Sequence, residues 1–260
     1  MELVLIGVAA LLASGLTLLS GFGLGTALMP VFALFFPLPL AIAATAVVHF
    51  ANNLFKLGLM AQQAAWSVVV KFSVPAAFTA ILGAGSLTFF DQLPPLWHYS
   101  IAGSSFEITT VKAVIGSLIM LFALLEMSTR FQTLAFPTRW LPIGGALSGF
   151  FGGLSGNQGA LRSAFLLKAD LSKESFVATG VVSAVIVDAV RLAVYGSVIF
   201  VGQLSQAQTL ALPVAVGTIC AFIGAFLGKR MLQKVTFRTV QLIVAGAMLG
   251  IGAGLTIGLL

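Results

Sequence analysis

The sequence carries little charge, and its charge is unevenly divided. Only 8% of its 260 residues are charged, with 13 basic and 7 acidic side chains, whereas a soluble domain has about 25% charged residues. So few charges cannot cover a water-facing surface. Hydrophobic residues make up 59% of the chain, and several apolar runs approach the roughly 20 residues that cross a bilayer as a helix. The sequence therefore predicts an all-α polytopic membrane protein that contacts the lipid bilayer.

Cysteine and histidine are also scarce. Cys220 is the only cysteine and lies in an apolar run, which excludes an intrachain disulfide and predicts a packing residue. The two histidines do not form an H-E-x-x-H pattern, and no loop has calcium-binding spacing. The sequence thus predicts no metal and no cofactor. The net charge of +6 is typical of basic cytoplasmic loops in a membrane protein, so no nucleic-acid partner is predicted.

The chain contains two copies of one pattern. A shift of 134 positions places Gly15 on Gly149 and Gly25 on Gly159, and it aligns an A-T-x-V-V motif in the two halves. The shared offset indicates a duplication. We therefore predict two membrane repeats, at residues 1–130 and 131–260.

Each half has a glycine-rich interruption, at Gly21–Gly25 and at Ser155–Gly159. A plain count of about eight helices ignores these interruptions and spreads the basic loops over both faces, against the positive-inside rule. About ten segments result if each interruption is a break that precedes a half-helix, at Thr26–Phe36 and Gly159–Leu167. An odd number of segments per half makes the repeats inverted. This topology puts both termini in the periplasm and the following cations in the cytoplasm: Lys71, Arg130, Arg139, Lys168, Lys173, Lys229, Arg230, Lys234 and Arg238.

The two breaks predict a binding site. Irregular backbone at membrane depth is stable only where it lines an enclosed or watery cavity. The half-helices begin after their breaks, so their free N–H groups face that cavity and attract anions. Matching glycine-interrupted segments are typical of transporter sites. The predicted substrate-binding residues at the breaks are Gly23, Gly25, Ser155, Gly156, Asn157, Gln158 and Gly159.

Charged and polar side chains extend this prediction. Arg162 suits the oxygens of an anion, although a structural arginine stays an alternative. On one predicted helix, His49, Asn52, Asn53 and Lys56 share a face; the first three are predicted to bind substrate, and a buried structural histidine is the alternative. Asp188 and Arg191, three residues apart, are candidates for ion coupling or a structural ion pair.

The two glycine-rich patches, GFGLGTALMP (21–30) and FFGGLSGNQGA (150–160), are each followed by an A-T-x-V-V helix. This combination resembles the TauE/SafE family of sulfite and organosulfur anion exporters. The resemblance implies a secondary transporter of the bacterial inner membrane, not an enzyme, whose substrate is sulfite, an organosulfonate or a carboxylate. The sequence leaves open which anion is transported, in which direction and with which coupling ion. It also leaves open whether the protein forms a homodimer.

Two other classes of membrane protein are alternatives. Gly153–Gly156 fits the G-x-S-G of rhomboid intramembrane serine proteases, and His49 with Asn53 imitates their H-x-x-x-N. Rhomboids place the catalytic histidine after the serine, whereas His49 and His98 both precede Ser155. A channel-like or receptor-like membrane protein is the remaining alternative.

Overall fold

The structure is a computed structural model that describes residues 1–20, 24–101, 103–197, 208–231 and 237–260. These residues form a helical bundle with one β-hairpin. The first half contains α1 (Glu2–Ser20), α2 (Leu24–Ala33), α3 (Leu38–Met60), α4 (Trp66–Asp91), β1 (Trp97–Ile101), β2 (Ser104–Ile108), α5 (Thr110–Met127) and the short α6 (Thr129–Gln132). The second half contains α7 (Leu141–Ser155), α8 (Gly159–Leu166), α9 (Lys173–Tyr195), α10 (Ala211–Met231) and α11 (Phe237–Thr256).

The apolar runs become helices because a helix satisfies its own backbone hydrogen bonds where water is absent. Five helices in the described ranges are long and apolar enough to cross a membrane, namely Leu38–Gln63, Trp66–Asp91, Thr110–Met127, Lys173–Tyr195 and Ala211–Gly228. Large apolar side chains such as Val8, Phe78 and Ile223 are exposed on the bundle, as expected of side chains that contact lipid. The predicted polytopic helical membrane protein is confirmed.

The second interruption is a helix break, as predicted. α7 ends at Ser155 and α8 begins at Gly159. Gly156 adopts the left-handed conformation (φ 82°) and donates its N–H to the Gly152 carbonyl at 3.0 Å, a common way for a helix to end and one that favours glycine. With 8 residues and about 1.5 Å rise per residue, α8 spans less than half of the roughly 30 Å hydrocarbon core. It is a half-helix.

The first interruption falls largely outside the described residues. Gly21, Phe22 and Gly23 are not among the described residues, and Gly23 is one of the predicted substrate-binding glycines. The described chain resumes with α2, whose 10 residues also make it shorter than a membrane crossing.

Two helix pairs are packed backbone to backbone. α7 lies along α4 with Gly145 beside Phe72 and Gly153 beside Ala80, so these helices are parallel. A Cβ at Gly149, between them, would overlap the carbonyl oxygen of Ala76. Small residues four positions apart permit this close approach inside membranes.

The corresponding pair in the other half is α1 with α10. Gly7 lies beside Cys220 and Gly15 beside Gly228, so this pair is parallel too. α3 and α9 run antiparallel, because His49 contacts Asp188 while the amide of Ala65, beyond the end of α3, donates to Thr179. These pairings and directions are the ones that inverted repeats require; the repeats and their boundary near residue 130 stay predictions.

The β-hairpin was not predicted from the sequence. β1 and β2 pair antiparallel, and Tyr99 stacks on Phe106. The Tyr99 hydroxyl donates to the Ile257 carbonyl at 2.5 Å. The hairpin therefore covers the end of α11.

Candidate functional site

The buried polar groups of the bundle converge on Asp188 in α9, beside the break between α7 and α8. Asp188 is 0% exposed. Its Oδ1 accepts hydrogen bonds from Gln158 Nε2 at 3.1 Å and from Arg191 Nε at 3.0 Å. Its Oδ2 lies 2.6 Å from His49 Nδ1, which reaches it from α3. Three segments of the chain are thus joined through one carboxylate.

Arg191 holds the broken end of α7. Its Nη2 pairs with Asp188 Oδ1 at 2.8 Å, and its Nη1 donates to the Gly152 carbonyl at 3.3 Å. The Tyr195 hydroxyl donates to the neighbouring Gly153 carbonyl. A cation is favourable at a helix C-terminus, where the carbonyls have no partners within the helix. The ion pair between Asp188 and Arg191 is present, while its role, structural or in ion coupling, stays a prediction.

Arg162 lies in the first turn of α8. Its Nη1 donates to Gln158 Oε1 at 3.3 Å, so Gln158 links Arg162 to Asp188. Gly180 of α9 lies next to the guanidinium, since a Cβ there would be in van der Waals contact with Arg162 Nε at 3.4 Å. A cation in the first turn of a helix faces the positive end of the helix dipole and is unfavourable there. An anion bound between the Arg162 guanidinium and the N-terminus of α8 would account for the position of Arg162.

The polar face of α3 is divided between two neighbours. His49 and Asn53 face α9, with Asn53 Nδ2 3.5 Å from Asp188 Oδ2. Asn52 faces α1 and α10 instead: its amide lies 3.2 Å from Ser14 Oγ, and with the amide oriented to satisfy its neighbours it accepts from Lys56 Nζ at 3.1 Å. Only part of the predicted polar face therefore meets the break.

The charges around the break do not balance. Arg191 contacts Asp188 directly, and Arg162 is linked to Asp188 through the side chain of Gln158. The two guanidinium groups of Arg162 and Arg191 face the one carboxylate of Asp188, an excess of one positive charge among these three side chains. Charges at membrane depth are expensive unless they are paired or hydrated. This group of charged side chains is therefore suited to bind an anion.

The remaining predicted residues lie at or near the break. Gly159 begins α8, and Gly25 of α2 packs against the Gly156 carbonyl. Asn157 is 1% exposed, and neither its Nδ2 nor its Oδ1 has a hydrogen-bond partner among the described residues. The structure brings these residues together with Gln158 and Arg162 in one region.

The protease alternative requires Ser155 and His49 to act together. The Ser155 hydroxyl donates to the Phe151 carbonyl within its own helix at 3.1 Å. His49 is engaged by Asp188 and Asn53. A serine nucleophile needs a hydrogen bond to its base, and these two side chains are occupied elsewhere. Within the described ranges, no group of three His, Cys, Asp or Glu side chains is placed to hold a metal ion.

Sequence reasoning missed the bond between His49 and Asp188, and it assigned no role to Thr45 or Tyr195. The available signal was the presence of ionisable residues inside apolar helices, which usually have partners there. No spacing in the sequence relates position 49 to position 188, because their contact depends on how α3 packs against α9.

A bundle of apolar helices with a helix broken over buried charges is typical of secondary transporters. The model of one family, the sulfite exporter TauE/SafE family, matches residues 5–255, nearly the whole chain. The chain belongs to the sulfite exporter TauE/SafE family and is a multi-pass membrane transporter. Membership of a transporter family fits a protein that is not an enzyme. No curated protein matches the chain.

Proposed function

We propose that the protein exports a small anion across the bacterial inner membrane by alternating access, with sulfite, an organosulfonate or a carboxylate as substrate. The observation that carries this proposal is the excess of positive charge at the break, where the guanidinium groups of Arg162 and Arg191 oppose the single carboxylate of Asp188. A bound monoanion reduces this excess. The family description, sulfite exporter, supports the same class of substrate.

The anion binds at the N-terminus of α8. Backbone N–H groups of the first turn have no partners within the helix and carry the positive end of its dipole. Arg162 adds a planar guanidinium that suits two oxygens of a carboxylate or sulfonate. Gln158 orients it through the 3.3 Å bond from Arg162 Nη1 to Gln158 Oε1.

The site lies where the two predicted repeats meet, so a rocking motion of one against the other exposes it to either side in turn. Export of an anion is favoured by an inside-negative potential, which supplies about 2.3 kcal/mol per charge per 100 mV. No coupled ion is needed in that direction. Asp188 and Arg191 are the groups available for coupling if the protein takes an anion up.

The basic loops are proposed to face the cytoplasm. Support comes from Phe72, Leu141 and Leu166, which belong to one packed cluster. Each is within two residues of a cation from the predicted cytoplasmic set, namely Lys71, Arg139 and Lys168. These three cations therefore lie at one end of the bundle, as the positive-inside rule requires.

Flux measurements in liposomes test the proposal. The purified protein is reconstituted and assayed with labelled sulfite, sulfoacetate, taurine and simple carboxylates. We expect Arg162→Ala to lower the affinity for the transported anion about tenfold or more, because a charge-assisted bond is lost, and Arg162→Lys to recover only part of it. Arg139→Ala removes an exposed loop cation and should transport normally. Normal transport of every anion by Arg162→Ala would refute the assigned site.

A further inference from the structure

Two buried polar side chains near the break have no hydrogen-bond partner within the described ranges. Asn157 and Thr45 are each 1% exposed. The unpaired atoms are Nδ2 and Oδ1 of Asn157 and Oγ1 of Thr45. A buried polar group without a partner costs roughly 1–3 kcal/mol, so such groups are uncommon in folded proteins and call for a partner. A hydrated or ligand-filled site supplies one.

Thr45 and the residue that precedes Asn157 lie beside the same glycine. The point where a Cβ of Gly25 would stand is 3.3 Å from the Gly156 carbonyl oxygen and 4.0 Å from Thr45 Cγ2. Asn157 is the residue directly after Gly156, and α8 begins two residues later. Thr45 from the first half and Gly156 from the second therefore flank Gly25, and Asn157 follows Gly156 next to the helix N-terminus at which the anion is proposed to bind.

Other polar groups of the break are already occupied. Gln158 donates to Asp188 and accepts from Arg162, and Ser155 donates within α7. Among the described residues, the uncharged polar side chains of Thr45 and Asn157 are thus available to distinguish one anion from another.

Their chemistry specifies what the ligand must offer. The Asn157 amide has an unpaired donor and an unpaired acceptor, and a threonine hydroxyl can donate or accept. A fully deprotonated oxyanion only accepts hydrogen bonds, so it would leave the Asn157 oxygen unpaired. A protonated oxyanion such as hydrogen sulfite, or a sulfonate with an amino or hydroxyl group, satisfies the donor and the acceptor together.

We propose that Thr45 and Asn157 are specificity-determining residues that select an anion carrying an N–H or O–H donor over an anion without one. This inference rests on the proposed anion site at the break. Sites that hydrogen-bond a substrate N–H or O–H reject analogues that lack it, because the protein's own buried group is then left unpaired.

Sulfamate and methanesulfonate make a matched pair of probes. Both are small monoanionic sulfonates, and they differ by an amino group in place of a methyl group. Each is tested as an inhibitor of labelled sulfite flux in liposomes. We expect the wild-type protein to prefer sulfamate by about tenfold or more. Asn157→Leu and Thr45→Val should each reduce this preference, while methanesulfonate still inhibits.

Thr88→Val is the control for Thr45→Val, since the Thr88 hydroxyl already donates to the Gly85 carbonyl in its own helix; it should keep the wild-type preference. Equal inhibition of the wild-type protein by both probes would overturn the inference and leave anion transport intact. Absence of any anion flux would overturn the proposed function itself. The comparison of sulfamate with methanesulfonate on the wild-type protein tests the inference even if a variant fails to fold.

Discussion

His49 Nδ1 in α3 lies 2.6 Å from Asp188 Oδ2 in α9, and this bond joins the two halves of the chain at the centre of the bundle. Both side chains are buried, with 5% and 0% of their surface exposed. A hydrogen bond to a carboxylate is stronger than one between neutral groups, so the contact stabilises the packing of α3 on α9. It stands next to the helix break where the anion is proposed to bind.

Asp188→Asn should weaken both folding and transport. The change keeps the shape of the side chain but removes the negative charge that pairs with Arg191 and His49. Breaking a buried ion pair costs about 3–5 kcal/mol, so the melting temperature in detergent and the anion flux should both fall.

Asp170→Asn is the matched control, because Asp170 is exposed and asparagine tolerates its positive φ of 49°. This variant should melt and transport like the wild-type protein. If Asp188→Asn also behaves like the wild-type protein, the carboxylate does not hold the site together.

Two glycine substitutions should have opposite effects on stability. Gly149→Ala places a Cβ on the carbonyl oxygen of Ala76 in α4, and overpacking of this kind costs about 1–3 kcal/mol. Gly85→Ala meets no atom within 4 Å, so the better helix propensity of alanine should stabilise by up to about 1 kcal/mol. Melting curves of the two variants measure the difference. Similar shifts for both would contradict the close packing of α7 on α4.

The parts of the structure that depend on local sequence were predictable. Composition and apolar runs indicated the helices, and the glycine-rich segment at Gly156 indicated the break, because positive φ and missing side chains are local requirements. The hairpin at Trp97–Ile108 was missed, because its contacts with the end of α11 are long-range. The partner of His49 was missed for the same reason.

The polar face of α3 shows what helical spacing alone can predict. At about 100° per residue, His49 and Asn53 lie on one side of a wide arc, and Asn52 and Lys56 lie on the other. The sequence predicted one face from this arc. The structure packs one side against α9 and the other against α1 and α10, because a helix surrounded by neighbours presents each part of its surface to a different one.

Ser155→Ala separates a transporter from a serine protease. The hydroxyl donates to the Phe151 carbonyl in its own helix, and one such bond contributes about 0.5–1.5 kcal/mol. We expect the variant to bind its anion somewhat more weakly and to keep transporting it. Proteolysis that is present in the wild-type protein and abolished in Ser155→Ala would instead support the rhomboid alternative.

Cysteine labelling tests the predicted topology. Lys71→Cys and Lys229→Cys are prepared in a Cys220→Ala background and treated with a membrane-impermeant maleimide. The topology of about ten segments puts both positions in the cytoplasm, so both should react only after the membrane is opened. Labelling of one position from outside intact cells would favour the topology of about eight helices.

The central claim is that an anion binds at the N-terminus of α8 beside Arg162. The most direct measurement is an experimental structure of the protein with selenite, whose selenium is located by anomalous scattering. We predict a selenium peak next to Arg162 and Asn157 in the wild-type protein, and its loss in Arg162→Ala. A peak elsewhere in the bundle, or one that persists unchanged in Arg162→Ala, would contradict the claim.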